Sequence, residues 1–416
     1  MYGSQIFRDR KVLDESYIPD HLRVRASEAE LLVGRYLNRF REGLGSTDIS
    51  LIYGSLGKVG IGKTTLAKYV GLSLERETRR YGINFKHVYI NTYSAPSMHQ
   101  ILTLIASQLE LNISVRGSAV IEVLKAITDY LYRRDLYILV ILDEFQSLLL
   151  SPRVDYDHLY LLLRIYEEIP AKDGINRINF LLVGQDFRIV SHMKERIPQV
   201  ESQIGFRLYL KPYSKKELYD ILEQRAEMAL EPHAWNEYLL EMIADYYGYD
   251  EVKGGEGSAR KAILTLRMAA ELAEVKGASS IQEEHVRLAL SENAVASIPL
   301  DDLRGLNTHE LLILLSIASS TLEGKSLITT GELRDKYNEV AEFYGESPRG
   351  HTQFHVYLRN LGALGLIDLK PSGKGIKGRT TLIRLSPEIP ADRLREAVES
   401  IILDRATPGR GRGSWM

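Results

Sequence analysis

The chain contains no cysteine, which removes disulfides, a thiol nucleophile and a thiolate-based zinc site, although this absence names no redox compartment. No apolar run approaches the roughly 18 to 20 residues that cross a bilayer. The first residues, MYGSQIFRDRKVLDES, lack the apolar stretch of a secretory signal. These absences predict an intracellular, cytoplasmic protein with no membrane partner. Excess charge of either sign is missing too. With 53 Lys plus Arg against 55 Asp plus Glu the net charge is −2, which argues against a uniformly basic nucleic-acid coat and leaves room for a local basic patch. What is present is an ordinary globular mixture, 44% apolar and 26% charged, which fits neither a disordered chain nor a membrane protein. At about 150 residues per domain, 416 residues predict roughly three domains.

Residues 1–15 are polar and unperiodic and read as a peripheral tail that orders only where something holds it. From 16 to 210, β-rich runs (DISLIYG, KHVYIN, LYILVILDE, INFLLVG) alternate with helical stretches such as KTTLAKYVGLSLERETRR. Near-continuous apolar strands separated by long crossovers predict a parallel sheet covered on both faces. Val120, Leu124, Ile127 and Leu131 place one apolar stripe on the helix before the central strand. Residues 211–297 read as helices only, with a second stripe at Ala262, Leu266, Ala269 and Ala273, a turn at Gly277 to Ser280 and a last helix at 281–293. ASIPLDDLRGLNTHE, 296–310, reads as a linker. A third domain, 298–405, runs helix, helix, helix, strand, glycine-rich loop, strand, helix, and 406–416 reads as a disordered tail. Thr329 with Glu332 predicts a capping box opening its second helix, and Ser347 followed by Pro348 predicts the start of its third. LIDLK and TTLIRL around PSGKGIKGR predict the hairpin of a winged helix-turn-helix.

Gly57-Lys58-Val59-Gly60-Ile61-Gly62-Lys63-Thr64 fits G-x-x-x-x-G-K-[ST] between a strand and a helix. Glycines let the backbone curl so that its N–H groups and the helix N-terminus face phosphates. Lys63 then reaches β/γ oxygens, the Thr64 hydroxyl ligates magnesium, and Thr65 follows on the same turn. The competing reading is a coincidental glycine turn. LVILDE, 139–144, is a buried strand ending in two carboxylates: Asp143 would hold magnesium and Glu144 would activate the attacking water, against the alternative of a strand ending on solvated charges. FLLVGQD, 180–186, ends another apolar strand; Gln185 would touch the γ-phosphate or the lytic water, while Asp186 reads equally as a helix cap. Arg260 opens a helix of the second domain, either reaching back to the nucleotide or lying solvated on the surface.

At these residues the chain resembles the AAA+ family, and within it the archaeal origin-recognition-complex and cell-division-cycle type replication initiators. The likeness spans nearly the whole chain. It is most specific in GSARKAILTLRMAAELAE (257–274), similar to that family's second-sensor helix with Arg260 and Arg267, then in YIPDHLRVRASEAELL, YINTYSAPSMHQIL and KPYSKKELYDILEQRAE. The resemblance implies an α/β AAA+ P-loop parallel-sheet domain, a helical lid domain and a C-terminal winged-helix domain. It implies that Tyr17 to Arg25 flank the adenine, that Tyr213 and Arg225 belong to the nucleotide pocket, and that 94–112 form a DNA-touching helix. Two positions depart from the pattern: Gln185 stands where the first-sensor Asn is usual, and Gln199 where relatives often carry Arg. Arg196 or Arg207 would then substitute as a finger, or the chain does not complete a neighbour's site.

In the third domain, setting Phe354, Leu358 and Leu361 inward leaves Arg349, Thr352, Gln353, His355, Val356, Arg359 and Asn360 outward, a face suited to base edges. Over 347–384 the basic residues Arg349, Arg359, Lys370, Lys374, Lys377, Arg379 and Arg384 oppose only Asp368, so 7 − 1 = +6. Such concentration predicts phosphate contact, notably by Lys374, Lys377 and Arg379. The G-x-G-x-x-G at 373–378 lies between strands and is no dinucleotide site, and His351 with His355 lacks the carboxylates of a metal site. The expected protein is an ATP-regulated, origin-binding initiator with ATP/ADP and Mg2+ as cofactors and slow, switch-like hydrolysis. It would be nucleoid-associated and would meet double-stranded origin DNA, paralogous initiators and the replicative helicase. The competing readings are a P-loop signalling or transcription-regulating switch whose winged domain contacts protein, and a processive ATPase motor.

Overall fold

The apolar runs of the first half become five parallel strands, β1 (Ile49–Gly54), β2 (Asn84–Asn91), β3 (Leu136–Asp143), β4 (Ile178–Val183) and β5 (Phe206–Leu210), in the order β2-β3-β4-β1-β5. The computed structural model describes residues 5–113, 115–151, 154–252, 254–296, 303, 306–325, 327–364, 366–371, 381–386, 389 and 391–406. The chain divides into two units, residues 1–286 and 287–416.

β3 is buried along its whole length because each face of the sheet meets a different layer. Ile138, Val140 and Leu142 pack with Val88, Phe180 and Leu182 under α3 (Met98–Gln108) and α4 (Val120–Arg134). The alternate residues Tyr137, Leu139 and Ile141 pack with Leu181 and Val183 under α1 (Ala26–Glu42) and α2 (Lys63–Arg80). Period-two alternation with both faces apolar is what an unbroken run such as LYILVIL encodes. Tyr36 of α1 sits fully buried and donates its hydroxyl to the Phe180 carbonyl at 2.7 Å. After β4 comes α5 (Arg188–Arg196), and after β5 the helices α6 (Lys215–Ala229), α7 (Glu237–Tyr247), α8 (Ala259–Val275) and α9 (Glu283–Ala296). The Ser214–Glu217 capping box opens α6, and the stripe Ala262, Leu266, Ala269 and Ala273 is fully buried on α8.

The peripheral tail expected at 1–15 is corrected from residue 5 onward. Phe7 bridges Leu230 antiparallel, Glu231 N–H donates to the Ile6 carbonyl at 2.9 Å, and Arg8 N–H donates to the Ala229 carbonyl at 2.8 Å. A 3-10 turn, Arg10–Leu13, is capped by Asp9, and Ile6, Val12 and Leu13 are buried against the lid. Four apolar side chains, Ile6, Phe7, Val12 and Leu13, spaced through a charged stretch carry no periodicity, yet all four are buried.

In the second unit α10 (Thr308–Leu322) opens on an Asn307–Glu310 capping box, so the end of the expected linker already belongs to the fold, with Leu303 and Leu306 buried. β6 (Ile328–Thr329), α11 (Thr330–Phe343), α12 (His351–Ala363), β7 (Ile367–Pro371), β8 (Thr381–Leu385) and α13 (Ala391–Ala406) follow, with an antiparallel sheet ordered β6-β8-β7. The Thr329–Glu332 box opens α11 as expected. Ser347 does not cap the next helix, which starts at His351 with Gly350 as its cap residue. The reason is local: Arg349 N–H is taken by the Tyr337 hydroxyl at 3.0 Å, which holds the chain before 351 out of the helix. Of the expected disordered segment 406–416, Ala406 still belongs to α13, while 407–416 and the loop 372–380 lie outside the described residues.

Ile6→Ala should cost about 2–5 kcal/mol, the usual loss for truncating a fully buried Ile. The measurement is the midpoint of urea unfolding of the full chain, and an unmoved midpoint would show that residues 5–15 contribute no packing.

Candidate functional site

The C-terminal ends of β1, β3 and β4 lie side by side in the parallel sheet, and a cavity of about 210 Å3 opens above them under α6 and α8. β1 ends at Gly54, and the loop that follows bends through Gly57, Gly60 and Gly62, all at positive φ. Two of these glycines are sterically required. A Cβ on Gly60 would lie 2.3 Å from Ser258 Oγ, and one on Gly62 would lie 2.1 Å from the Tyr213 hydroxyl. α2 begins immediately after Gly62, so its free N–H groups face the cavity. This cradle, with Lys63 and a hydroxyl beside a carboxylate, fits a nucleotide polyphosphate and its magnesium ion.

Val59, Gly60, Ile61, Gly62, Lys63, Thr64 and Thr65 line the cavity with Glu144 and Gln185. Gly57 and Lys58, assigned to the same site from the motif, do not: Lys58 Nζ donates to the Gly255 carbonyl at 2.6 Å and so ties the loop to the lid. Lys63 is drawn below its ordinary pKa by burial, against the opposing pull of Glu144, Asp143 and Asp186. Thr64 Oγ1 donates to Asp143 Oδ2 at 2.8 Å, which joins the two residues assigned to magnesium. Among the described residues no cluster of three or more His, Asp or Glu that could hold a metal is present.

Asp143 is 2% exposed and fully used. Its Oδ1 accepts from Glu144 N–H at 2.9 Å, and its Oδ2 accepts also from the Tyr89 hydroxyl at 2.8 Å. Burial and this carboxylate push the Tyr89 phenol up. Thr92 donates toward the main-chain carbonyls of Asp143 and Glu144, each at 2.8 Å. Tyr89 and Thr92 were not legible as site residues, because their role follows from β2 pairing β3 in register, Asn91 opposite Asp143. Asp186 accepts from Arg188 N–H at 2.9 Å just ahead of α5, whose cap residue is Phe187.

The lid and the N-terminal segment close the cavity with Tyr213, Arg225, Arg260 and Arg267, and with Leu13, Pro19 and Leu22. Tyr213, pushed up by burial, lies under the Arg25 guanidinium at 4.7 Å. Arg225 is buried and donates to the carbonyls of Val12 at 2.7 Å and Tyr17 at 3.1 Å; burial brings its pKa down to about 10. Arg260 meets Glu15 at 3.6 Å and Arg267 meets Asp14 at 3.8 Å, all four side chains well exposed. Of the proposed finger substitutes, Arg207 is engaged by Glu201 at 2.7 Å, while Arg196 meets Glu195 at 3.5 Å.

In the second unit Phe354, Leu358 and Leu361 are buried on α12, with Thr352, Gln353 and Arg359 exposed and His355 and Val356 half-buried. Asn360 is exposed but donates to Glu310 Oε1 at 3.1 Å. Arg349 is corrected as a residue of the helix face: it precedes α12, and its Nε donates to His309 Nε2 at 2.8 Å. His309 Nδ1 then carries the hydrogen and donates to the Tyr337 hydroxyl at 2.9 Å. Asp368 is neutralised by Arg384 opposite it on β8, at 2.7 Å. Lys374, Lys377 and Arg379 lie outside the described residues.

Family models cover most of the chain: an AAA domain at 54–190, a Cdc6 AAA+ ATPase-type lid domain at 219–291 and a CDC6 C-terminal winged helix domain at 301–393. The ORC1-type DNA replication protein 2 of Aeropyrum pernix is 52% identical over 405 residues, 97% of this chain and 98% of that protein. The solved structure of Aeropyrum pernix ORC2 in ADPNP–ADP complexes has a TM-score of 0.76 at 51% identity, covering 96% of this chain and 99% of that one. The Aeropyrum pernix ORC1 protein in complex with DNA has a TM-score of 0.67 at 26% identity, covering 98% and 100%.

His309 is buried beside Arg349, so burial and then that guanidinium depress its pKa, with Glu346 opposing. The folded state therefore binds this proton less readily than the unfolded one. Its stabilising contribution is complete above the ordinary histidine value of about 6.5 and is lost as pH falls below it. Amide-exchange protection of α12 in the full chain should drop between about pH 7 and about pH 5, and His309→Gln should flatten that dependence; a slope unchanged by the substitution would contradict the assignment.

Proposed function

Because the chain belongs to the ORC1-type family of DNA replication proteins, we propose that it is an ATP-dependent initiator that binds duplex origin DNA. The observation that carries the nucleotide part is the Thr64–Asp143 bond at 2.8 Å, which joins the glycine loop to the carboxylate end of β3 within one cavity. Its relative ORC2 was solved with ADPNP and ADP, and its relative ORC1 with DNA. Both ligands are assigned here to this chain: nucleotide in the first unit, duplex DNA on the second.

In the nucleotide cavity the loop N–H groups and Lys63 neutralise phosphate oxygens, Tyr213 and Arg225 belong to the pocket, and the stretch Tyr17 to Arg25, which lines the cavity with Pro19, Leu22, Arg23 and Val24, flanks the adenine. Magnesium held by Thr64 and Asp143 supplies further neutralisation of the phosphates when bound. Glu144 faces the same cavity as Lys63 and takes the proton of the attacking water, while Gln185 at the end of β4 orients that water. Arg260 and Arg267 approach from the lid. Gln199 supplies no guanidinium to a neighbouring copy, so hydrolysis is slow and serves as a timer whose state governs the arrangement on DNA and the meeting with paralogous initiators and the helicase.

On the DNA side, Arg349, Thr352, Gln353 and His355 are assigned to the bases, and Arg359, Lys374, Lys377 and Arg379 to phosphates. Bidentate amide–adenine contact and methyl contact give base choice, whereas the lysines and arginines give salt-dependent affinity.

Lys63→Ala should abolish nucleotide binding, whereas Glu144→Gln should keep it and stop hydrolysis; fluorescent-nucleotide titration and phosphate release read the two effects, and full affinity in the Lys63 variant would refute the site. On DNA, Arg379→Ala should weaken binding to all sequences and lower the logarithmic salt slope by about one unit, while Gln353→Ala should relax base preference and leave the slope unchanged. Gel shifts with origin-like repeats against random duplex at fixed salt, repeated with ATP, with ADP and without nucleotide, test the whole reading: equal, feeble binding to both duplexes would remove the initiator role and leave a nucleotide switch that contacts protein.

A further inference from the structure

The main chain of Glu144 is locked. It sits at φ 54, with its N–H on Asp143 Oδ1 and its carbonyl accepting from Ser147 N–H at 2.8 Å as well as from Thr92. Its carboxylate, by contrast, turns about a terminal torsion that is intrinsically broad. The group that stops it is the amide of Gln146: Nε2 donates to Glu144 Oε2, and Oε1 accepts from the main-chain N–H of Gln185 at 3.0 Å. Gln146 is itself fixed, because it opens the short helix Gln146–Leu150 whose Leu148 and Leu149 are fully buried and whose Phe145 anchors to the Val183 carbonyl at 2.9 Å.

Two cavities meet at this amide. Glu144 lines the nucleotide cavity and Gln146 does not; Gln146 lines a second cavity of about 120 Å3, with Arg188 and His192, and Gln185 lines both. The amide therefore stands behind the carboxylate, on the side away from the phosphates.

We propose that Gln146 is a positioning residue for hydrolysis: it fixes Glu144 Oε2 from behind so that Oε1 faces the nucleotide cavity, and it joins that carboxylate to the strand end carrying Gln185. The inference rests on the assignment of Glu144 as the base. An amide suits the task because it donates and accepts at once and carries no charge.

The test is steady-state hydrolysis of magnesium ATP by the full chain, with nucleotide affinity measured alongside. Gln146→Leu should lower kcat by about tenfold to a hundredfold, with KM and nucleotide affinity unchanged. Gln146→Glu, of nearly the same shape, sets a carboxylate against Glu144 and should lower kcat in the same way. A purely structural role would instead lower nucleotide affinity and thermal stability together with kcat. Glu144→Gln separates the failures. If it leaves wild-type turnover intact, the base assignment falls and this inference with it. If it stops turnover while both Gln146 variants keep the wild-type kcat, the inference alone is overturned.

Discussion

A lysine ammonium near three carboxylates, two of them buried at the edge of an apolar sheet, is the constraint to which the first unit answers. Asp143 and Asp186 are each 2% exposed, and Lys63 is depressed by burial while Glu144, Asp143 and Asp186 pull the other way. Charges taken out of water must find partners, and here the two aspartates find hydroxyls and N–H groups, Thr64, Tyr89 and the Glu144 and Arg188 amides, with the Arg188 guanidinium on Asp186 at 2.7 Å. A polyphosphate entering this edge meets a lysine whose charge burial disfavours. Additional positive potential must then come from the bent loop's N–H groups, the start of α2 and the lid arginines, which is why glycine is needed where a Cβ would strike Ser258 or Tyr213.

The lid is joined to the loop and to the N-terminal segment by bonds of unequal strength, and the inequality has consequences. Arg225 holds two main-chain carbonyls from a buried position, and Ala259 N–H donates to the Gly60 carbonyl at 3.0 Å. These contacts make residues 5–17 part of the lid's own packing. The pairs Arg260–Glu15 and Arg267–Asp14, at 3.6 and 3.8 Å between exposed side chains, are screened by water, and Arg267 also meets Glu271 at 2.9 Å on its own helix. The segment is thus held by its backbone and apolar residues, and the two lid arginines remain exchangeable toward a more concentrated negative charge.

Much of this was legible in the sequence because it depends on local pattern. The glycine loop, the carboxylates closing β3, the alternating burial of LYILVIL and the Thr329 capping box each need only a short window. What was not legible depends on which strands are neighbours. Tyr89 and Thr92 reach Asp143 because β2 pairs with β3, and nothing in YINT announces that pairing. Ile6 and Phe7 stand in a charged stretch whose lack of periodicity reads as a tail, since their partners lie more than 200 residues later on the lid. Lys58 and Arg349 match their motifs by type and spacing, and each is drawn off by a carbonyl or an imidazole that no motif includes.

The displacement of Arg349 changes what the winged unit's helix is built to do. Its guanidinium, the His309 imidazole and the Tyr337 hydroxyl form a chain of hydrogen bonds that ends on the residue just before α12, and Tyr337 packs on Phe354 with ring centroids 5.3 Å apart. The start of the helix is therefore set by a buried polar network backed by aromatic packing, an arrangement that fixes orientation because each member is satisfied only in one geometry. Arg349 stays exposed while so tied, and the exposed side chains on α12 itself are His351, Thr352, Gln353, Arg359 and Asn360. Over 347–384 Arg384 cancels the one acid, Asp368, and the remaining basic residues are unopposed within the segment, a surplus of the kind whose attraction to a polyanion weakens with salt.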